Sequence, residues 1–525
     1  MIHPMQSSYY FSKTVSLIFL HCLLFALLAW LLLPNLDIDM YENFAWAQKF
    51  AWGSFKHPTF FAWVTGLWFH LFPVNHGSYF LLSYANAGLG LWGILALAQL
   101  LLHQVPGQGK HPEQERVFLL LVLGFAVLAL PYNLYAAVFN ADSILISLWP
   151  WTTYVFFAII FAKDTRKKWF WTFALSSLAA AAILGKYFSF SLLVSLVILS
   201  LWVKEYRSLY LKPYPYVVLA CGLMLLWPHL RWEYQMNFPC KTYYAHYLNT
   251  DPWVLFKHGL TFSLTGIYFF AFSWIAWLVL KQMSRNTVRS ASLRKISNHL
   301  LASLFLLPWF ISLLLSVLGG ISIKDRWAIP LWFALPIYMA NQLIPWLPSL
   351  QTKMKLLWRF WGAFVALVCI ALLFTLTISN HYLSAHQDYL EARKEMVTRI
   401  ADQFHQQFPN EELSWVGGNV WPDHIAPLAF YLPNHPRAIP GFPDRMPAMV
   451  SPHTTWKKEI GVIVCGKKYA DSAVVIENCV QETREWLLGL GLSVREQDIL
   501  YNAQGWRWTF LPPPEKKVTV FWVRA

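Results

Sequence analysis

Eleven apolar runs punctuate the first 379 residues of the chain, at 14–34, 78–103, 115–131, 142–162, 169–185, 188–203, 213–230, 257–280, 299–319, 327–346 and 356–379. Each approaches the ~20 residues a helix needs to cross a bilayer, so about 11 transmembrane helices are predicted. With 57% hydrophobic and 13% charged residues, the chain reads as a polytopic α-helical membrane protein. The stretch at 58–72 is shorter and aromatic, and reads as an interfacial or re-entrant helix. The first run lacks a small-residue cleavage site before Pro34, so it is expected to stay as a helix.

The net charge of +14 would suit a nucleic-acid partner, but its distribution argues for none. Residues 1–379 carry 26 Lys and Arg against 11 Asp and Glu, whereas 380–525 carry 15 against 16. The excess therefore reports membrane topology. With the N-terminus in the cytoplasm, 18 of those 26 basic residues fall on the inner side, including the KDTRKK run at 163–168 and the cluster from Lys281 to Lys295. The positive-inside rule selects that orientation. An odd number of spans then sends 380–525 to the outer side.

The same topology gathers Asp37, Asp39, Glu42, Lys56, His57, Asn140, Asp142, Lys186, Tyr187, His229, Arg231, Glu233, Asp251, Lys324, Asp325 and Arg326 on the outer face. Ionisable side chains are costly beside lipid, which makes such a collection a candidate site. No span carries a run of charges through its centre, which weakens a proton relay or ion pathway. The densest part lies between Leu36 and Phe72. There Asp39 and Glu42, three residues apart, suit acid–base chemistry, and suit equally a capping box for a helix from about Met40 to Trp52. Similarly, Asn140 and Asp142 would line a cavity or cap the span beginning at Ser143.

From residue 380 the pattern changes, setting a boundary between a membrane domain, 1–379, and a soluble domain, 380–525. An amphipathic helix near 386–407 precedes alternating strands near 413–417, 460–465, 507–511 and 518–523, with a further helix near 477–490. A small C-terminal α/β domain is expected. Cys465 and Cys479 are its two cysteines, and an oxidising compartment would let them pair as a disulfide. Trp421, Asp423 and His424 are either ligand contacts or parts of an ordinary surface loop.

Seven short patterns occur together in order. They are Asp39-x-x-Glu42 with Ala45-Trp46, Gly53, Lys56-His57-Pro58 and Trp63; Phe139-Asn140 before a Trp149-containing span; Leu184-Gly185-Lys186-Tyr187; Pro228-His229-Leu230; Arg326-Trp327; Pro330-Leu331-Trp332; and Trp415-Val416-Gly417-Gly418. This series resembles the bacterial family 39 glycosyltransferases, polytopic GT-C enzymes related to protein O-mannosyltransferases and the lipid A aminoarabinose transferase. Thr59 stands where a second proline is usual, and Met40 where many relatives carry an acid.

The resemblance implies a GT-C-like protein of the bacterial inner membrane, with its C-terminal domain in the periplasm. Its implied reaction moves a sugar, usually with inversion, from a polyprenyl-phosphate donor to an envelope acceptor: lipid A, another glycan or a protein. In such a reaction Asp39 would take the proton of the acceptor hydroxyl, and Glu42 would orient the acceptor, hold a metal or raise the pKa of Asp39. The departing phosphate calls for cations, and Lys56, His57, Lys186, Lys324 and Arg326, with Tyr187, are the donor-binding candidates. Asn140, Asp142, His229 and Arg231 would line the cavity. No cofactor is demanded, although Asp39, Glu42 and Asp142 are oxygen ligands suited to Mg²⁺ or Mn²⁺. The competing expectation is a transporter or flippase of an anionic polyprenyl-phosphate lipid, which the lack of an internal repeat disfavours.

Overall fold

The structure is a computed structural model that describes residues 4–33, 35–107, 111–245, 247–249, 251–285, 287, 291–374, 392–440, 459–467, 474–489, 491, 494–501 and 515–524. Two compact units emerge, Met1–Leu27 with Ala51–Phe61 and Phe80–Val368, and Leu28–Phe50 with Ala62–Tyr79 and Cys369–Ala525.

Helices in chain order are α1 (Pro4–Leu32), α2 (Ile38–Ala47), α3 (Phe60–Leu71), α4 (His76–His103), α5 (Pro112–Val127), α6 (Leu145–Phe161), α7 (Thr165–Gly185), α8 (Phe190–Trp202), α9 (Lys204–Arg207) and α10 (Tyr214–Gln235). They continue with α11 (Pro239–Ala245), α12 (Pro252–Tyr268), α13 (Ala271–Ser284), α14 (Asn298–Gly319), α15 (Leu335–Leu343), α16 (Leu347–Gln351) and α17 (Met354–Phe374). Among the described residues five helices are long and apolar enough to cross a membrane, or up to eight if each of three bent pairs is one span. The expected count of eleven is therefore not reached by that measure, for physical reasons. α6 stops at 17 residues. α10 ends in a polar turn with His229, Arg231 and Glu233. The run at 327–346 breaks into a turn at Asp325–Ala328 and the short helices α15 and α16. The run at 257–280 bends by 45° between α12 and α13.

In the first unit α7 lies between α6 and α10. Its buried residues include the small Ser176, Ala180, Ala182 and Gly185 beside Thr172, Leu175 and Leu184, and neighbouring helices approach closely at the small ones. Gly185 shows the need: a Cβ there would lie 3.1 Å from Ile144 Cγ2. That fit brings the end of α7 onto the turn before α6.

The second unit contains α18 (Arg393–Gln407), α19 (Ile425–Tyr431), α20 (Val474–Gly489) and a five-stranded sheet. Its strands are β1 (Trp415–Gly418), β2 (Arg437–Pro440), β3 (Gly461–Cys465), β4 (Arg495–Tyr501) and β5 (Lys516–Val523), in the order β2-β1-β3-β5-β4. β1 runs parallel to β2 and β3, while β5 pairs antiparallel with β3 and β4. Trp415, Ile439, Ile463, Leu487, Phe521 and Val523 form the core, each large side chain worth roughly 1.5–3 kcal/mol on burial. Cys465 and Cys479 are joined by a disulfide with Cα atoms 5.6 Å apart.

The expected strands near 413–417, 460–465 and 518–523 correspond to β1, β3 and β5, and the helix near 477–490 to α20. The strand expected at 507–511, and the first residues of the helix expected at 386–407, lie outside the described residues. β2 and β4 were not anticipated. Both are edge strands, where Arg437, Pro440, Arg495, Glu496 and Asp498 break the apolar alternation without disturbing a central ladder.

Candidate active site

In the first unit, Lys186 is the C-cap of α7, leaving the helix in an extended conformation at φ −164°. Its ammonium is 3% exposed and forms an ion pair with the buried carboxylate of Asp142. It also stands 4.7 Å from the Trp327 ring centroid. Asn140 does the local work: its Oδ1 accepts from the backbone N–H of Asp142 and Ser143, both at 3.0 Å. Of the two capping candidates, Asn140 closes this turn and Asp142 pairs with Lys186, ahead of a helix that begins at Leu145 and not at Ser143.

The next residue, Tyr187, turns to α10. Its hydroxyl lies 2.6 Å from His229 Nε2 and 3.1 Å from Glu233 Oε1. His229 in turn donates Nδ1–H to the Trp52 carbonyl at 2.6 Å. Sequence reading had not singled out Glu233 for a role, although its position four residues after His229 puts both on one helix face. His57 lies 3.4 Å from the Tyr244 hydroxyl and edge-on to the Tyr243 ring. Burial, and then the charges of Lys186 and Lys56, push the His57 imidazole well below the usual histidine range. It is therefore neutral at physiological pH, and the positive charge around it belongs to the lysines.

Lys56 faces the Tyr243 ring at 5.9 Å and Lys324 the Tyr247 ring at 5.7 Å, while the Tyr247 and Trp327 rings meet at 5.7 Å. An aromatic bridge thus links Lys324 to Lys186. A cavity of about 250 Å³ opens beside it, lined by Lys186, Tyr187, Phe188, Tyr244, Ile323 and Trp327. One cation against apolar and aromatic walls suits an anionic group carried on a hydrocarbon chain. Arg326 is exposed on the turn Asp325–Ala328, and Arg231 is exposed on α10 while His229 is buried.

The second unit holds Asp39 and Glu42 on α2. The cap of this helix is Asp37, whose carboxylate accepts from Asp39 N at 2.9 Å. The capping box expected at Asp39 and Glu42 is therefore not formed. Helix α2 begins two residues earlier than expected because Asp37 accepts from the amide of Asp39, and it ends at Ala47. Glu42 is buried and accepts from Trp421 Nε1 at 2.7 Å. Tyr41 meets Tyr431 at 2.5 Å between hydroxyl oxygens, and His76 Nε2 reaches the same Tyr431 oxygen at 2.5 Å. Burial pushes the Tyr41 hydroxyl up to about 12 and that of Tyr431 well above its ordinary value, so both keep their protons. Gln48 bonds the carbonyls of His435 and Pro436 and the amide of Ala438. Phe44 packs edge-on against Phe69 and Phe430. Asp423 pairs with the buried Arg393 at 2.9 Å, and His424 is buried, so 421–424 is interior and not a surface loop. Among the described residues no group of three or more His, Cys, Asp or Glu is placed to hold a metal ion.

A multi-pass helical protein with a small appended sheet, and a buried lysine facing an apolar cavity, has the architecture of a GT-C glycosyltransferase. Two comparisons make this specific. Residues 56–232, which carry Lys56, His57, Asp142, Lys186 and His229, match the family described as dolichyl-phosphate-mannose-protein mannosyltransferase. The fold is similar to that of ArnT from Cupriavidus metallidurans in its apo crystal structure, with a TM-score of 0.55 at 15% identity over 98% of each chain. The crystal structure of the same protein bound to undecaprenyl phosphate gives 0.56 at 14% identity, over 97% of this chain and 98% of that one. No curated protein sequence matches the chain significantly. Family match and fold together support a glycosyltransferase and leave the transporter expectation without support.

Proposed function

We propose that this protein is a bacterial inner-membrane glycosyltransferase that moves a sugar from a polyprenyl-phosphate donor to an envelope acceptor, a glycolipid such as lipid A or a protein. The observation that carries this reading is the location of the first unit's polar network. Lys56, His57, Asp142, Lys186, Tyr187 and His229 all fall within the stretch that matches a family of lipid-phosphate-dependent mannosyltransferases. The relative bound to undecaprenyl phosphate supports the same class of donor.

In this reading the acceptor hydroxyl attacks the anomeric carbon and Asp39 takes its proton, with Glu42 orienting the acceptor. The bond from the anomeric carbon to the phosphate oxygen breaks, and its electron pair stays on the polyprenyl phosphate. Lys56, Lys186, Lys324 and Arg326 stabilise that charge, while neutral His57 supplies a hydrogen bond and Tyr187 lines the donor cavity. Asn140, Asp142, His229 and Arg231 shape the surroundings. No step requires a metal. The N-terminus faces the cytoplasm and residues 380–525 the periplasm.

The test is transfer by the purified full-length protein, read by mass spectrometry of lipid A, lipid-linked saccharides and envelope proteins. Asp39→Asn should fold normally and lose at least about 100-fold in rate. Normal transfer by that variant would remove Asp39 as the base.

A further inference from the structure

Topology accounts for the basic run KDTRKK at 163–168, but not for the hollow beside it. Where α6 ends and α7 begins, a cavity of about 610 Å³ opens between these helices and the end of α4, with walls that include Gln104, Tyr154, Arg166, Lys167, Phe170 and Trp171. Among the described residues no carboxylate lines it. Asp164, the one acid of the run, is used as the cap of α7 and accepts the amide of Arg166 at 2.9 Å. The other lysines of the run stand elsewhere: Lys168 faces the Tyr214 ring at 5.8 Å, and Lys163 is exposed outside the hollow.

We propose that this cavity binds an anionic glycerophospholipid, its phosphodiester held by Arg166 and Lys167 and its acyl chains laid along the exposed side of α7. Basic pockets between membrane helices take such headgroups. Tyr154 and Trp171 meet edge to face across α6 and α7 at 5.9 Å, and Phe170 stands 4.8 Å from the Trp171 ring. Aromatic walls alone would suit a choline headgroup as well. The two cations decide against it, since a net-neutral choline lipid would set its ammonium beside them. Both cations also lie in the first turn of α7, toward the positive end of the helix dipole, where a bound anion relieves their repulsion. Arginine grips phosphate oxygens in a bidentate way, lysine adds a point charge, and the Gln104 amide is a further donor.

The occupant is a lipid and not a free anion because the apolar surface continues past the cations. Phe170 and Phe173, three residues apart on α7, are 63% and 53% exposed, and acyl chains would cover both. Lys186 caps the opposite end of the same helix, roughly 30 Å away at 1.5 Å per residue. The lipid therefore belongs to the other leaflet, the cytoplasmic one in the proposed orientation. It uses none of the donor-site residues, so the proposal stands or falls apart from the sugar-transfer reading.

The experiment is native mass spectrometry of the full-length protein in detergent, titrated with phosphatidylglycerol or with phosphatidylcholine of the same acyl chains. Wild type should bind its first phosphatidylglycerol at least about fivefold more tightly than phosphatidylcholine, and inorganic phosphate at the same concentration should leave that adduct in place. Arg166→Gln with Lys167→Gln should weaken the phosphatidylglycerol adduct about tenfold. Lys163→Gln with Lys204→Gln removes the same charge outside the hollow and should stay within about twofold of wild type. Equal losses in the two double variants would mean general attraction to a basic surface and overturn the proposal. Equal affinity for the two lipids, or displacement of the adduct by phosphate, overturns it too. If the Arg166 and Lys167 double variant does not fold, Lys167→Gln compared with Lys163→Gln decides, with about threefold weakening expected only in the first.

Discussion

The indole Nε1 of Trp421 donates a 2.7 Å hydrogen bond to the buried carboxylate of Glu42, across 379 positions of sequence. The tail thus holds a side chain on the helix that also carries Asp39. Trp421→Phe keeps most of the packing and removes the donor. Leaving a buried carboxylate without this partner costs about 1–3 kcal/mol. The expected result is a lower unfolding midpoint together with a fall in sugar-transfer rate, whereas Trp421→Phe with wild-type values in both assays would limit the tail to packing.

Lys186 and Asp142 pair at 3% and 6% exposure, so removing either partner strands a buried charge. Lys186→Met alone should destabilise by roughly 3–5 kcal/mol, and so should Asp142→Leu. The double variant should recover most of that stability, since an apolar pair needs no compensating charge. It should not recover transfer or undecaprenyl phosphate binding if Lys186 serves the donor. Thermal unfolding and binding of the three variants separate the structural role from the proposed functional one.

The helical membrane architecture was legible because apolar runs declare spans directly, and β1, β3 and β5 because their burial follows from strand-like apolar stretches. Edge strands β2 and β4 carry too many polar residues to stand out. At the candidate site the residue types were legible and the pairings were not. Asp37 and Asp39 are two residues apart, and sequence does not say which one caps; the structure gives the cap to Asp37. Glu233, Tyr41, Tyr431 and Gln48 find partners through tertiary packing of distant segments, which no local pattern encodes.

His57 ties stability to pH with a definite sign. In the unfolded chain its imidazole titrates near 6.5, whereas in the folded protein burial and the charges of Lys186 and Lys56 hold it well below that. Below about pH 6.5 the unfolded chain therefore binds a proton that the folded one does not, and stability drops as pH falls. The unfolding midpoint should be steady above pH 7 and decline toward pH 5. His57→Phe should reduce that decline by up to about one proton's worth of slope. An unchanged slope in the variant would mean His57 is charged in the folded protein.

The disulfide between Cys465 and Cys479 closes a loop with a sequence separation of 14, joining the end of β3 to α20. A loop of that size restricts the unfolded chain enough to contribute about 3 kcal/mol. Cys465→Ser with Cys479→Ser should lower the resistance of the second unit to denaturant by that order. The bond also reports compartment, because reducing cytosol does not sustain such pairs. When cells are lysed directly in denaturant with a thiol-blocking reagent present, reduction followed by labelling with a maleimide polymer should shift the wild-type chain by two labels. Cys22, Cys221, Cys240 and Cys369 are free thiols and do not contribute to that shift once blocked. A shift by two labels places residues 465 and 479 on the oxidising side, as the proposed orientation requires, and a chain with both thiols already blocked would reverse it.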